Sequence, residues 1–235
     1  MTTIVLAHGA WSAAWAWKKM RPLFAAAGHA FHAPTYTGLG ERAHLARPDI
    51  DLSVHIQDVL AVLNVEDLRD VTLIGHSYGG MVATGVADQA RDRIARLIYL
   101  DAFVPRNGQS LFDLLPPGDA DARRTAVKAE GDGWKIPPNP MPPDTSPEDR
   151  AWATPRRYPQ PLQTFEQKIA LSDREPPPRH YIYATRSGPG DTFRQFAERA
   201  RTESGWTSWE IDASHNPHIT CPERLFELLQ RIVAQ

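Results

Sequence analysis

Val71-Thr72-Leu73-Ile74-Gly75-His76-Ser77-Tyr78-Gly79-Gly80 decides how the rest of the chain is read. Val71 to Gly75 is an apolar run of buried-strand length, and the small side chains from about Tyr78 to Ala90 suit a closely packed helix. Between them stands a G-x-S-x-G, Gly75-His76-Ser77-Tyr78-Gly79. A sharp strand-to-helix turn holds such a serine in a strained backbone conformation, and the flanking glycines let strand and helix approach. Its Oγ then projects beyond the sheet edge at the positive end of a helix. The context predicts Ser77 as a nucleophile; the plainer alternative is a tight turn with a surface serine.

Outward from this element, short β-like runs alternate with helical ones, the pattern of a parallel sheet with crossover helices. Ile4 to Ala7 reads as a first strand, Trp15 to Ala27 as a helix stopped by Gly28, and Ala30 to Thr35 as a second strand. Val54, Ile56, Val59, Leu60 and Leu63 recur at helical spacing between Leu52 and Val65. Arg96 to Leu100 is a strand ending at Asp101. Tyr181 to Ala184 and Trp209 to Ile211 are further strands, with helices from about Asp191 to Thr202 and Pro222 to Val233. The fold class is α/β.

The 235 residues suit a single domain with a sizeable core, 42% of them being hydrophobic. A net charge of −2 without like-charge blocks gives no patch for nucleic acid or membrane. One cysteine, Cys221, forms no internal disulfide, and no Cys/His cluster has zinc spacing. With no basic, apolar leader at the start, a cytoplasmic location is expected. Proline is the unusual count: 21 residues, of which 16 lie between Pro105 and Pro189. Runs such as Pro137-Pro138, Pro142-Pro143 and Pro176-Pro177-Pro178 forbid long strands or helices at those points. The stretch 105–178 is therefore expected to be an insertion between the sheet-forming parts 1–104 and 179–235.

A serine nucleophile needs a base, most often a histidine, here expected after the last strand. His215 sits there, in Ala213-Ser214-His215, with His218 the close rival. His76 adjoins the nucleophile and is expected to point to the opposite side, and His8 belongs to the first loop. An oxyanion hole takes one backbone N–H from the residue after the nucleophile, Tyr78, and one from the loop after the first strand. His8-Gly9-Ala10-Trp11 is that loop, with Ala10 the expected donor. Trp11, Trp15 and Trp17 are candidates for a substrate pocket or for the core. Gly38-Leu39-Gly40-Glu41-Arg42 reads as a structural loop near the sheet rim.

Ser77 in its turn, His8-Gly9-Ala10-Trp11 with Trp15-Ala16-Trp17 behind it, and Ser214-His215 together resemble the α/β-hydrolase superfamily. Within it the chain resembles the branch of hydroxynitrile lyases and plant methyl-ester esterases, with its bacterial esterase relatives. The resemblance implies a three-layer αβα fold with a mostly parallel sheet, no cofactor, and a cap over a buried pocket. Two positions depart from the branch. Its triad acid follows a Tyr-Ile-x-x-Thr segment by two residues; here that segment is Tyr181 to Thr185 and the position is Ser187. A serine does not stabilise imidazolium as a carboxylate does. Asp101, at a strand end where some lipases carry their acid, and Asp191, otherwise a helix N-cap, are the two candidates. The lyases place a lysine after the histidine; here it is Asn216, which moves the expectation toward hydrolysis.

The expected function is a serine hydrolase acting on a small, largely apolar carboxylic ester or lactone. Non-hydrolytic chemistry at the same Ser-His site, such as C–C cleavage, and a receptor-like relative with little turnover are the other readings. No metal site or phosphate cradle is visible, and no feature points to a particular oligomeric state.

Overall fold

A computed structural model of the chain describes residues 1–188 and 190–235. Pro189, the last proline of the dense stretch, lies outside the described residues. The elements follow in the order β1 (Thr3–Ala7), α1 (Met20–Ala26), β2 (Ala30–His32), α2 (Leu52–Val65), β3 (Val71–His76), α3 (Gly79–Gln89) and β4 (Ile94–Leu100). Next come α4 (Asp119–Glu130), β5 (Lys135–Ile136), α5 (Pro147–Ala153), β6 (Gln160–Pro161) and α6 (Gln163–Glu166). The chain closes with β7 (Arg179–Ala184), α7 (Arg194–Thr202), β8 (Trp206–Ile211), α8 (Pro217–Thr220) and α9 (Pro222–Val233).

Six strands form one sheet in the order β2-β1-β3-β4-β7-β8, every pairing parallel. Successive side chains of a strand point to opposite faces, and a parallel sheet is covered on both. Ile4, Leu6, Ile74, Ile98, Leu100 and Ile182 therefore share one core with Met20 and Phe24 of α1 and Leu225, Leu229 and Ile232 of α9. Val5, Val71, Leu73, Leu97, Tyr99 and Tyr181 share the other with side chains of α2, α3 and α7. This is the three-layer αβα arrangement. Among the described residues no helix is long and apolar enough to cross a membrane.

The register sets up the site. β3 and β4 pair His76 with Leu100, so Ser77 and Asp101 leave the sheet side by side at its carboxyl end. In open α/β sheets this is the end where ligands bind.

Several boundaries differ from the sequence reading. The span Trp15 to Ala27 is not one helix but a 3-10 turn, Ala14–Trp17, followed by α1, whose first turn holds Pro22, a residue with no N–H to give an earlier turn. β2 stops at His32 because Pro34 cannot pair and the chain then braces the first loop: Thr35 Oγ1 accepts from Ala14 N and Tyr36 N donates to His8 Nε2. α7 begins at Arg194, with Asp191 Oδ1 accepting from Phe193 N and Arg194 N ahead of it. Between β4 and β7 the chain adds no strand to the main sheet; its β5 and β6 pair only with each other, antiparallel. Its longest helix, the 12-residue α4, forms in the proline-free interval between Pro117 and Pro137.

Candidate active site

Ser77 sits at the turn from β3 to α3 with φ +56°, a left-handed conformation that a residue with a Cβ enters only under strain. Close packing enforces it. A Cβ on Gly79 would lie 2.0 Å from Ala7 O, and one on Gly75 would lie 2.8 Å from Gly79 O. The turn is fixed by Ser77 O, which accepts from Gly80 N at 3.0 Å and Phe103 N at 3.1 Å.

His215, after β8, reaches across the carboxyl end of β7 to meet it. Its Nε2 lies 2.9 Å from Ser77 Oγ and its Nδ1 2.7 Å from Asp101 Oδ2. An ionised Asp101 only accepts, so Nδ1 carries the proton and Nε2 is free to accept from the serine hydroxyl. Asp101 is 2% exposed. Burial raises its pKa, opposed first by the hydrogen bond and charge of His215 and then by the Ala184 N–H on its Oδ1. Its own φ is +43°, a second strained residue in the site.

The other acid candidate faces elsewhere. Asp191 accepts from Tyr183 Oη and caps α7. Its cap holds Phe193, whose ring stacks on His215 at 4.7 Å and 12°. Ser187, at the branch's usual acid position, is exposed and turns back to donate to Ala184 O.

The loop after β1 is set by His8, a fully buried ring. Its Nε2 accepts from Tyr36 N at 3.2 Å, so its Nδ1 donates to Gly9 O at 2.9 Å. In a trans peptide the carbonyl and the next N–H point in opposite directions. Fixing Gly9 O therefore turns Ala10 N–H away from His8. The loop runs against Ser77, since a Cβ on Gly9 would lie 3.2 Å from Ser77 Cβ. Among the described residues neither Ala10 N nor Tyr78 N donates to a protein acceptor, and both residues line the cavity over Ser77. The Tyr78 ring is anchored: His55 Nε2 donates to Thr37 O, so its Nδ1 accepts from Tyr78 Oη at 2.9 Å. The loop of Gly38 to Arg42 serves as bracing, Arg42 bonding Thr35 O, Thr37 Oγ1 and Asp58.

The cavity has a volume of about 360 Å³. Trp11 and Trp15 line it, whereas Trp17, two residues on, is fully buried and stacks on His218 at 4.6 Å. The segment between β4 and β7 closes over it and holds its rim. Trp11 N donates to Gln160 Oε1 and Trp11 Nε1 to Ile136 O, while Ser214 Oγ donates to Asp144 Oδ1 beside His215. Trp152 packs edge-on against Trp15 at 5.2 Å.

His76 does not point away from the site. Its ring lies 4.9 Å from that of His215, and its Nε2 donates to His215 O at 2.8 Å, so it supports the loop that carries His215. His218, the rival base, is 2% exposed beneath that loop. Among the described residues no group of three or more His, Cys, Asp or Glu side chains is gathered for a metal ion.

Burial keeps several of these rings neutral, which makes the fold acid-sensitive. Desolvation lowers the pKa of His8, His55 and His218 from 6.5 to about 3. The unfolded chain binds these protons near pH 6.5 and the folded chain does not. Stability is therefore full above pH 6.5 and falls as pH drops from 6.5 toward 3, by up to ~1.4 kcal/mol per pH unit per ring. Thermal melts should show Tm falling steadily from pH 7 to pH 5; a flat Tm there would contradict the burial of neutral imidazoles.

Known proteins share this fold. The family model described as alpha/beta hydrolase family matches residues 4–228. The chain belongs to that family. Over 97% of its length and 98% of the relative's, this α/β-hydrolase is 36% identical to a carbendazim hydrolyzing esterase from Nocardioides sp. (strain SG-4G). A solved extracellular alpha/beta-hydrolase from a Paenibacillus species, described as sharing structural and functional homology with tobacco salicylic acid binding protein 2, superposes with a TM-score of 0.85. It is 26% identical, with 98% of each chain covered. The Arabidopsis methylesterase MES16 shares the fold, with a TM-score of 0.72, 23% identity, and 100% of this chain and 99% of that one covered. These relatives fall in the branch that the sequence motifs resemble.

Proposed function

We propose that the chain, an esterase-type hydrolase, cleaves a small, largely apolar carboxylic ester or lactone through an acyl-enzyme on Ser77. The observation that carries this reading is the unbroken hydrogen-bonded chain Ser77–His215–Asp101 at a cavity that Ser77 and His215 both line. In the first half, Ser77 Oγ bonds to the substrate carbonyl carbon while its proton passes to His215 Nε2. The C–O bond to the alcohol breaks as Nε2 returns that proton to the leaving oxygen. In the second half, water gives a proton to Nε2, attacks the acyl carbon, and Ser77 leaves with its proton restored.

Negative charge develops on the carbonyl oxygen in both halves. The Ala10 and Tyr78 amides are assigned to it, each donor being worth roughly 3 kcal/mol of transition-state stabilisation. Asp101 holds the His215 tautomer and stabilises the imidazolium. Residues 105–178 act as a cap on the core formed by 1–104 and 179–235, excluding water and shaping the pocket. A cytoplasmic location belongs to the same proposal, although the Paenibacillus neighbour is described as extracellular.

Two observations weigh against the other readings. Asn216 lines the cavity where a lyase of the branch would carry its lysine, so the position beside His215 offers a departing cyanide no cation. The receptor-like reading rested on Ser187, and with Asp101 bonded to His215 it loses that support. Product analysis on a panel of small esters tests the reading: acid and alcohol should form in equal amounts. Tight binding of the panel without hydrolysis, or release of an aldehyde from cyanohydrins in preference to any ester cleavage, would overturn it.

A further inference from the structure

Two guanidinium groups reach the cavity over Ser77 with no carboxylate to match them. Arg123 on α4 and Arg157, just after the turn that follows α5, both line it, and among the described residues no Asp or Glu side chain does. Both converge on one neutral residue: Arg123 Nη1 donates to Asn139 Oδ1 at 3.2 Å and Arg157 Nη1 to Asn139 O. Both also lie over the same indole, 5.5 Å and 5.8 Å from the Trp11 ring centroid. Arg123 Nε is buried without an acceptor.

This arrangement is costly on its own. Burial lowers the pKa of both guanidiniums; Asp119 offsets part of that shift at Arg123, and desolvation alone acts at Arg157. A cation–π contact compensates only in part. What a paired guanidinium site lacks here is an anion, and the planar forks of arginine match a carboxylate. The surrounding wall of Trp11, Leu111, Leu115 and Phe165 is apolar, which strengthens such a pairing.

We propose that the substrate is an ester carrying a free carboxylate remote from its scissile carbonyl, held jointly by Arg123 and Arg157. The proposal rests on the esterase reading and names the substrate class of that same site. A neutral ester filling the cavity must displace water from both guanidiniums without offering acceptors in return, so the site discriminates against it. The largely apolar substrate inferred above thereby acquires one acidic end.

The test compares monomethyl succinate, glutarate and adipate with methyl butanoate, pentanoate and hexanoate, each pair on the same enzyme so that general damage cancels in the ratio. In the unaltered enzyme the best half-ester should exceed its neutral partner in kcat/KM by about 10- to 100-fold. In R123Q/R157Q that ratio should fall to near one. A ratio of one or less for all pairs in the unaltered enzyme, or a preference that survives in R123Q/R157Q, would overturn the proposal and leave the esterase reading standing. Calorimetric binding of the same compounds to Ser77→Ala separates the two. Tighter binding of the half-esters, lost when both arginines are also replaced, supports the carboxylate site even if no ester is turned over. Equal binding of half-ester and neutral ester counts against it.

Discussion

Ser77→Ala should reduce kcat on p-nitrophenyl butyrate by roughly 10⁴-fold or more, to the level of the oxyanion donors and binding alone. The substitution is clean in structural terms. Alanine keeps the Cβ that already occupies the strained φ of +56°, and the Ser77 N and O bonds to Leu100, Gly80 and Phe103 belong to the backbone. Only Oγ and its 2.9 Å hydrogen bond to His215 are lost. Tm should therefore move little while turnover disappears. An alanine variant that retains turnover would remove Ser77 from the mechanism.

Asp101→Asn should lower kcat by about four orders of magnitude with a much smaller change in KM. The introduced asparagine can still accept the Ala184 N–H through its carbonyl oxygen. Its amide, however, donates to His215 Nδ1 and so favours the tautomer with the proton on Nε2, which cannot take the Ser77 proton. Asp191→Asn serves as the contrast. Asparagine caps helices about as well as aspartate: its carbonyl keeps the Phe193 and Arg194 N–H bonds while its amide donates to Tyr183 Oη, which turns from donor to acceptor, so Phe193 stays stacked on His215. The rate should remain within about threefold of the unaltered enzyme, in keeping with a neutral cap replacement. If both variants keep the original rate, Asp101 is not the acid; if Asp191→Asn is the damaged one, the roles are reversed.

The choice between these two aspartates shows where the sequence stops being legible. Short continuous apolar runs and helical patterning mark the strands and the turn at Ser77, because burial on both faces of a parallel sheet writes itself into local composition. Ser77 and His215 each follow from one strand end and what surrounds it. The carboxylate that meets His215 depends on strand order: Asp101 does so because β4 lies beside β3 and because the loop after β8 passes over β7. No spacing along the chain contains that adjacency. The supporting roles of His8 and His76 escape sequence reading for a related reason. Both act through backbone carbonyls, Gly9 O and His215 O, so their side chains carry no pattern beyond sitting next to a recognisable motif. Trp11, Trp15 and Trp17 are ambiguous in sequence because a spacing of two residues sends neighbours to opposite sides, here the cavity and the core. Between Pro105 and Pro178 the prolines predict irregularity, and they do not indicate that Gln160, Ile136 and Asp144 bond the loops that carry Trp11 and Ser214.

If ester cleavage passes through an acyl-enzyme, water and an added alcohol compete for one intermediate. Partitioning between water and added methanol tests it, using several esters of one acid that differ only in their leaving alcohol or phenol. If all form the same acyl-Ser77, the ratio of methyl ester to free acid in the products will be identical for every leaving group. A ratio that changes with the leaving group would contradict the covalent intermediate and with it the role assigned to Ser77.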